Sequence, residues 1–332
     1  MKSEKLNFEY IDFLRLLACF AVILLHYSGS YTYRFGIPTF DEGVQIFTLT
    51  RWCAPIFLMI SGALLLNRNF EIIEFYKKRL LRILPPVIFW GAIYISYKLF
   101  KETIDSSQVL KMIFISGPEF HFWYIYLIIG IILFLPFIVD WTAKKNKKSI
   151  IIFLLIWLYV VISTNNKQIA SSFTLINFSG YLGYLVLGYF LHIISPKKWH
   201  VYIGVLLCIV GFIYSYHLTI TTSYEIGKYT QGYQRYLSWN VASMSIGVFL
   251  IFKQIRLPSK IQKIVAEISK YTFGIYLAHI IVRDNFVGNY FNFLNIETYS
   301  FLFLKSLLVL ILCYVIVKII SKIPIIGKYI AG

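Results

Sequence analysis

The sequence predicts an all-α, polytopic integral membrane protein with about ten transmembrane helices and both termini in the cytoplasm. Three observations carry this. Hydrophobic residues make up 58% of the 332-residue chain, above the roughly 45–50% of a water-soluble domain. Apolar runs follow one another so closely that no stretch is left to fold as a separate aqueous core. The basic residues, finally, fall into alternate loops.

The runs lie near residues 11–28, 46–66, 84–100, 122–140, 149–163, 175–194, 200–217, 237–252, 271–287 and 300–320, most of them close to the ~20 residues that cross a bilayer. The first follows Lys2 and Lys5, as a signal peptide would. No small-x-small cleavage pattern succeeds it and many further spans do, so it is expected to be retained. Two stretches, Glu71 to Leu84 before Pro85-Pro86 and Leu257 to Lys270, interleave apolar and basic residues at helical spacing and are expected to lie on the cytoplasmic face.

Sorting Lys and Arg by loop tests the span count. One side collects Lys2 and Lys5; Arg68, Lys77, Lys78, Arg79 and Arg82; Lys144, Lys145, Lys147 and Lys148; Lys197 and Lys198; Lys253, Arg256, Lys260, Lys263 and Lys270; and Lys318, Lys322 and Lys328. The other holds Arg34, Lys98, Lys101, Lys111, Lys167, Lys228, Arg235 and Arg283. A miscounted span would invert every later loop, so the alternation supports ten spans and cytoplasmic termini independently of hydropathy. Residues 1–332 are accordingly expected to form a single membrane domain with no separate soluble part.

The same charge pattern narrows the partners. A net charge of +17 in a soluble protein would suggest nucleic acid, but here it sits in short loops where it sets orientation; membrane lipid, not nucleic acid, is the expected partner. Cys19, Cys53, Cys208 and Cys313 each lie inside an apolar run, with no Cys-x-x-Cys and no Cys/His ligand spacing, so neither a disulfide framework nor a metal site is expected. The sequence shows no internal repeat and leaves the oligomeric state open.

Ionisable groups within a span cost roughly 2.5–3.5 kcal/mol each at a helix centre on insertion scales, so each asks for a reason. Asp12, Arg15, His26, Arg51 and His279 are such groups. Arg15 and His26 are eleven residues apart, which is three helical turns plus about 20°; they project from one face about 16.5 Å apart along the axis. One helix can thus present a cation and an imidazole to one cavity. Alternatively, Arg15 snorkels to the interface and His26 caps the far end of the span.

The neighbourhoods of these residues decide between the two. Ile11-Asp12-Phe13-Leu14-Arg15-Leu16-Leu17-Ala18, with His26 ten residues after the Arg, is similar to the first-span signature of membrane acyltransferase family three. Arg51-Trp52-Cys53-Ala54-Pro55-Ile56-Phe57-Leu58-Met59-Ile60-Ser61-Gly62 resembles that family's Arg-x-x-x-Pro-x-Phe-x-x-x-Ser-Gly segment, and Lys77-Lys78-Arg79-Leu80-Leu81-Arg82-Ile83-Leu84-Pro85-Pro86 its cytoplasmic Arg-x-x-Arg element. Glu119-Phe120-His121-Phe122-Trp123-Tyr124 and Tyr271-Thr272-Phe273-Gly274-Ile275-Tyr276-Leu277-Ala278-His279 match further patterns in the same order. Unlike larger members, the chain carries no hydrolase-like domain after the last span and lacks a Trp-Ser-x-x-x-Glu segment; it looks closer to the small polysaccharide O-acetyltransferases.

The resemblance implies transfer of an acyl group, usually acetyl from acetyl-CoA, to a hydroxyl of a cell-surface or lipid-linked glycan. It makes acyl-CoA and a glycan acceptor the expected partners, and the cell membrane the expected location. His26 is the expected base, because a hydroxyl needs one that titrates near neutrality. Arg15 or Arg51 suits the charge that develops on the thioester oxygen, with Asp12 holding Arg15. Arg79 and Arg82, three apart on one helix face, suit the phosphates of CoA. His121, Trp123 and His279 are further candidates, His121 and Trp123 at an interface where aromatic residues also serve as belts. A transporter or flippase for a glycan or lipid-linked sugar is the competing class. Its intramembrane Arg and His would bind a charged substrate without chemistry.

Overall fold

The structure, a computed structural model, describes residues 9–66, 71–143, 147–163, 176–288 and 299–332. Lys2, Lys5, Arg68, Lys144, Lys145 and Lys167, used above for orientation, lie outside the described residues. Among the described residues all regular structure is helical: α1 (Glu9–Thr32), α2 (Phe40–Thr50), α3 (Cys53–Leu65), α4 (Ile72–Phe100), α5 (Trp123–Ala143), α6 (Lys147–Ser163), α7 (Ile176–Ile193), α8 (Trp199–Ile226), α9 (Trp239–Phe252), α10 (Ser259–Ser269), α11 (Thr272–Val282) and α12 (Tyr299–Ser321), joined by short helical turns.

Among the described residues, six stretches are long and apolar enough to cross a bilayer: Glu9–Thr32, Phe40–Leu65, Ile72–Phe100, Phe120–Val139, Trp199–Ile226 and Tyr299–Ser321. A seventh is reached if Ser259–Ser269 and Thr272–Gly288, bent by 67°, count as one span. The protein is therefore a multi-pass membrane protein. The expected runs at 149–163, 175–194 and 237–252 are helical too, but on shorter elements. The 14 residues of α9 rise only about 21 Å against ~30 Å of hydrocarbon. In α7 the backbone at Gly180 leaves the helical region (φ 1°, ψ −114°), which cuts the apolar helix to Gly180–Ile193.

The stretch Glu71 to Leu84, expected as a surface helix ending at Pro85-Pro86, is instead the first half of α4, which runs unbroken through both prolines. Glu71 starts it by accepting from Ile73 N at 3.0 Å and Glu74 N at 2.7 Å, an N-cap that fills two of the donors a helix start leaves open. Proline within an apolar helix is tolerated where neighbouring groups re-satisfy the freed carbonyls.

The helices group into two compact units. The first takes Met1–Arg68, Trp141–Ser269 and Glu297–Ser306. In it α1 packs on α2, α3 and α10, α3 on α7, and α8 on α9. Small residues permit the closest of these approaches: a Cβ at Gly62 of α3 would collide with the Leu185 carbonyl, and one at Gly188 of α7 with the Met59 backbone. Where lipid is as apolar as the side chains, such backbone proximity is what drives helices together. Lys253, just past α9, donates to the carbonyls of Leu191 (2.6 Å), His192 (2.8 Å) and Ile194, closing the C-terminal end of α7.

The second unit takes Asn69–Asp140, Lys270–Ile296 and Leu307–Gly332. Its centre is α4 against α11, joined by the Tyr94 hydroxyl, which donates to Leu277 O (2.9 Å) and accepts from Ile281 N (3.1 Å). Lys98 near the end of α4 pairs with Glu119 at 2.9 Å and donates to Pro118 O at 2.9 Å.

Candidate active site

Arg51 stands where α2 gives way to α3, and the local sequence explains the break. Pro55 has no N–H, so it cannot donate to the carbonyl four residues back, which is that of Arg51. The helix opens at Arg51–Trp52 and resumes at Cys53, with Ile56 N bonding Trp52 O at 3.1 Å. The Arg-x-x-x-Pro spacing is thus a way of interrupting an apolar helix at an arginine.

Arg51 is 5% exposed. Its Nε donates to Gln234 O at 2.6 Å, and its guanidinium carbon lies 3.8 Å from the Tyr236 ring centroid and 5.1 Å from that of Phe47. Gln234 is itself fully buried: its side chain donates to Thr48 Oγ1 at 2.5 Å and accepts from the Tyr229 hydroxyl at 2.6 Å. Burial raises the phenols of Tyr229 and Tyr236, against the pull of the Arg51 charge. They stay neutral and give Arg51 no counter-ion. Among the described residues no carboxylate pairs with it. A buried cation held this way costs several kcal/mol, and among the described residues its contacts are one carbonyl and aromatic faces.

His26 is half-buried on α1. The register between α1 and α2 sets its depth relative to Arg51. Gly43 lies against Tyr31 and Thr32, where an added Cβ would meet Tyr31 Cβ at 2.7 Å and Thr32 N at 2.9 Å, and Gly29 faces Phe47. The two helices therefore run antiparallel, and following α2 to its end brings Arg51 level with residues near Leu24. That is about 3 Å along the axis from His26. Arg15 lies about 14 Å further along α1.

At that further level Arg15 forms a compact cluster. It pairs with Asp12 at 3.1 Å and donates to Ser269 Oγ at 3.2 Å, while Ser269 Oγ donates to Asp12 at 2.8 Å. Ser269 ends α10, so the cluster ties the start of α1 to that helix. The expected hold of Asp12 on Arg15 is present. Arg15 thus meets Asp12 and Ser269, whereas Arg51 meets the Gln234 carbonyl.

The remaining candidates lie in the second unit. Arg79, half-buried, sits with its guanidinium 5.7 Å from the Phe75 ring centroid, and Arg82, one turn on, is exposed. His121 and His279, both fully buried, come together with ring centroids 5.0 Å apart. His279 Nδ1 lies 2.5 Å from Tyr276 O; a carbonyl only accepts, so Nδ1 carries the proton. The Tyr276 hydroxyl donates to His121 O at 2.6 Å, and the Tyr94 and Phe122 rings close around His121 at 5.5 and 4.9 Å. Trp123 is 39% exposed, with its ring against that of Tyr124.

Sequence reasoning missed Gln234, Tyr236 and Ser269. The signal available for the first two was the polar and aromatic run Gln231-Gly232-Tyr233-Gln234-Arg235-Tyr236 between two apolar segments; for Ser269 nothing marked it. Among the described residues no group of three or more His, Cys, Asp or Glu is placed to hold a metal ion.

The fold and site define a multi-pass helical membrane protein with a buried arginine that no carboxylate pairs among the described residues. The family is shown directly: the model of the acyltransferase domain of family three matches residues 8–318, and the chain belongs to that family. It is a membrane acyltransferase. No curated protein and no solved structure matches it significantly.

Proposed function

We propose that this protein moves an acetyl group from cytoplasmic acetyl-CoA to a hydroxyl of a cell-surface or lipid-linked polysaccharide. In this reading it sits in the cell membrane with about ten spans and both termini cytoplasmic. The observation that carries the mechanism is the buried Arg51, which no carboxylate pairs among the described residues.

His26 takes the proton of the acceptor hydroxyl as its oxygen attacks the thioester carbonyl carbon. Arg51 donates to the oxygen on which negative charge gathers, a stabilisation worth most in a site that excludes water. When the tetrahedral intermediate collapses, the C–S bond breaks and CoA leaves as the thiolate. The proton held by His26 then returns to that sulfur or to solvent. Arg79 and Arg82 offer fork-shaped donors to the phosphates of the donor substrate. Arg15, fixed by Asp12 and Ser269, is the alternative donor to the thioester oxygen.

The first test compares acetyl-ester signals of the surface polysaccharide by NMR in cells carrying the wild type, a deletion, and His26→Ala at matched expression. Ester lost in both the deletion and the variant supports the reading; ester that survives deletion while polymer export fails replaces it with transport.

A further inference from the structure

We infer that Tyr236 and Gln234 are positioning residues that hold the Arg51 guanidinium with only its terminal edge available to a substrate oxygen. This rests on the reading above, in which Arg51 meets the reacting carbonyl. The reasoning starts from the five donors of a guanidinium. Nε is taken by the Gln234 carbonyl at 2.6 Å, and one face is covered by the Tyr236 ring at 3.8 Å. Neither terminal nitrogen hydrogen-bonds to a described residue. A merely structural buried arginine is ordinarily satisfied by a carboxylate across that edge. Here the contacts made by described residues are neutral, a carbonyl at Nε and aromatic rings, so charge and terminal edge are both kept for a ligand.

The two clamping groups are themselves held from three directions. The Gln234 side chain reaches Thr48 on α2 and Tyr229 ahead of α9, and the Tyr236 carbonyl accepts from the fully buried Tyr184 of α7 at 2.5 Å. The loop before α9 is thereby fixed against the α2–α3 break that Pro55 opens. Donors held in place before reaction need no reorganisation during it, and displacement of a reacting group by about 1 Å can cost ~10²-fold in rate.

The test uses membranes from the producing cells, which hold the native acceptor, with radiolabelled acetyl-CoA as donor and variants normalised to the amount of folded protein. Tyr236→Phe keeps the stacking ring and should keep kcat within about twofold, whereas Tyr236→Leu should lower kcat about tenfold or more with the KM for acetyl-CoA little changed. Gln234→Leu should fall between them. On an Arg51→Lys background Tyr236→Leu should add little, because a stacked planar group is no longer there to position. Full additivity of the two losses overturns the clamp, as does an unchanged kcat in Tyr236→Leu beside a crippled Arg51→Lys, which would leave the role of Arg51 standing. Unchanged turnover in Arg51→Lys overturns both.

Discussion

Each unit of this protein buries a polar centre in an otherwise apolar interior, and the two are built on opposite terms. In the second unit, the Tyr94 and Tyr276 hydroxyls donate across elements to the carbonyls of Leu277 and His121, and His279 Nδ1 bonds the Tyr276 carbonyl within α11. That is how buried polar groups ordinarily serve stability, by satisfying backbone groups that water cannot reach. In the first unit, Arg51 is a permanent charge whose partners are one carbonyl and aromatic faces. A fold does not gain stability from such an arrangement. The two centres differ in what their groups are bonded to, where burial alone treats them alike.

The comparison can be broken by substitution. The largest effect should come from the first unit: Arg51→Met, close in length and without charge, should lower kcat by about 10²–10³-fold while thermal unfolding in detergent shifts little or rises. If Arg51→Met instead unfolds the protein with activity per folded molecule intact, Arg51 is structural and the distinction fails. Next comes the second unit, with the reverse pattern: Tyr94→Phe leaves Leu277 O and Ile281 N without their hydroxyl, and should cost about 1–3 kcal/mol of stability with turnover per folded molecule kept. A loss of turnover without a shift in unfolding would move the second unit's centre into the chemistry. Gly62→Ala tests packing common to neither: the new methyl meets the Leu185 carbonyl, and overpacking there should cost about 1–3 kcal/mol. The smallest effect is expected at Lys78→Ala, which removes an exposed pair with Glu74 and should leave the melting temperature unchanged within measurement.

Much of this was readable in advance. Arg15, His26 and Arg51 stand out because an ionisable residue in an apolar run needs a reason, and Asp12 lies three residues from Arg15, within the reach of helical periodicity. The unbroken α4 was not readable, because the prolines that end helices in water end them less reliably in lipid. Nor was the number of full-length spans: hydropathy weighs side chains along a window and does not see the backbone leave the helix at Gly180 or α9 stop after 14 residues.

By itself, then, the sequence determined the solvent of this protein, its helical class, its family and the charged residues worth watching. The first two follow from composition and the charged residues from their place in apolar runs, while the family follows from the resemblance of the motifs around them. Only the tertiary structure decided what those residues meet. Arg51 meets a carbonyl 183 residues away, Arg15 a hydroxyl 254 away, and His121 a tyrosine 155 away. Periodicity reports which side chains share a helix face, but the partner on the facing helix depends on depth and rotation. Those are set by where glycines such as Gly43 and Gly62 let two backbones close, not by any local pattern.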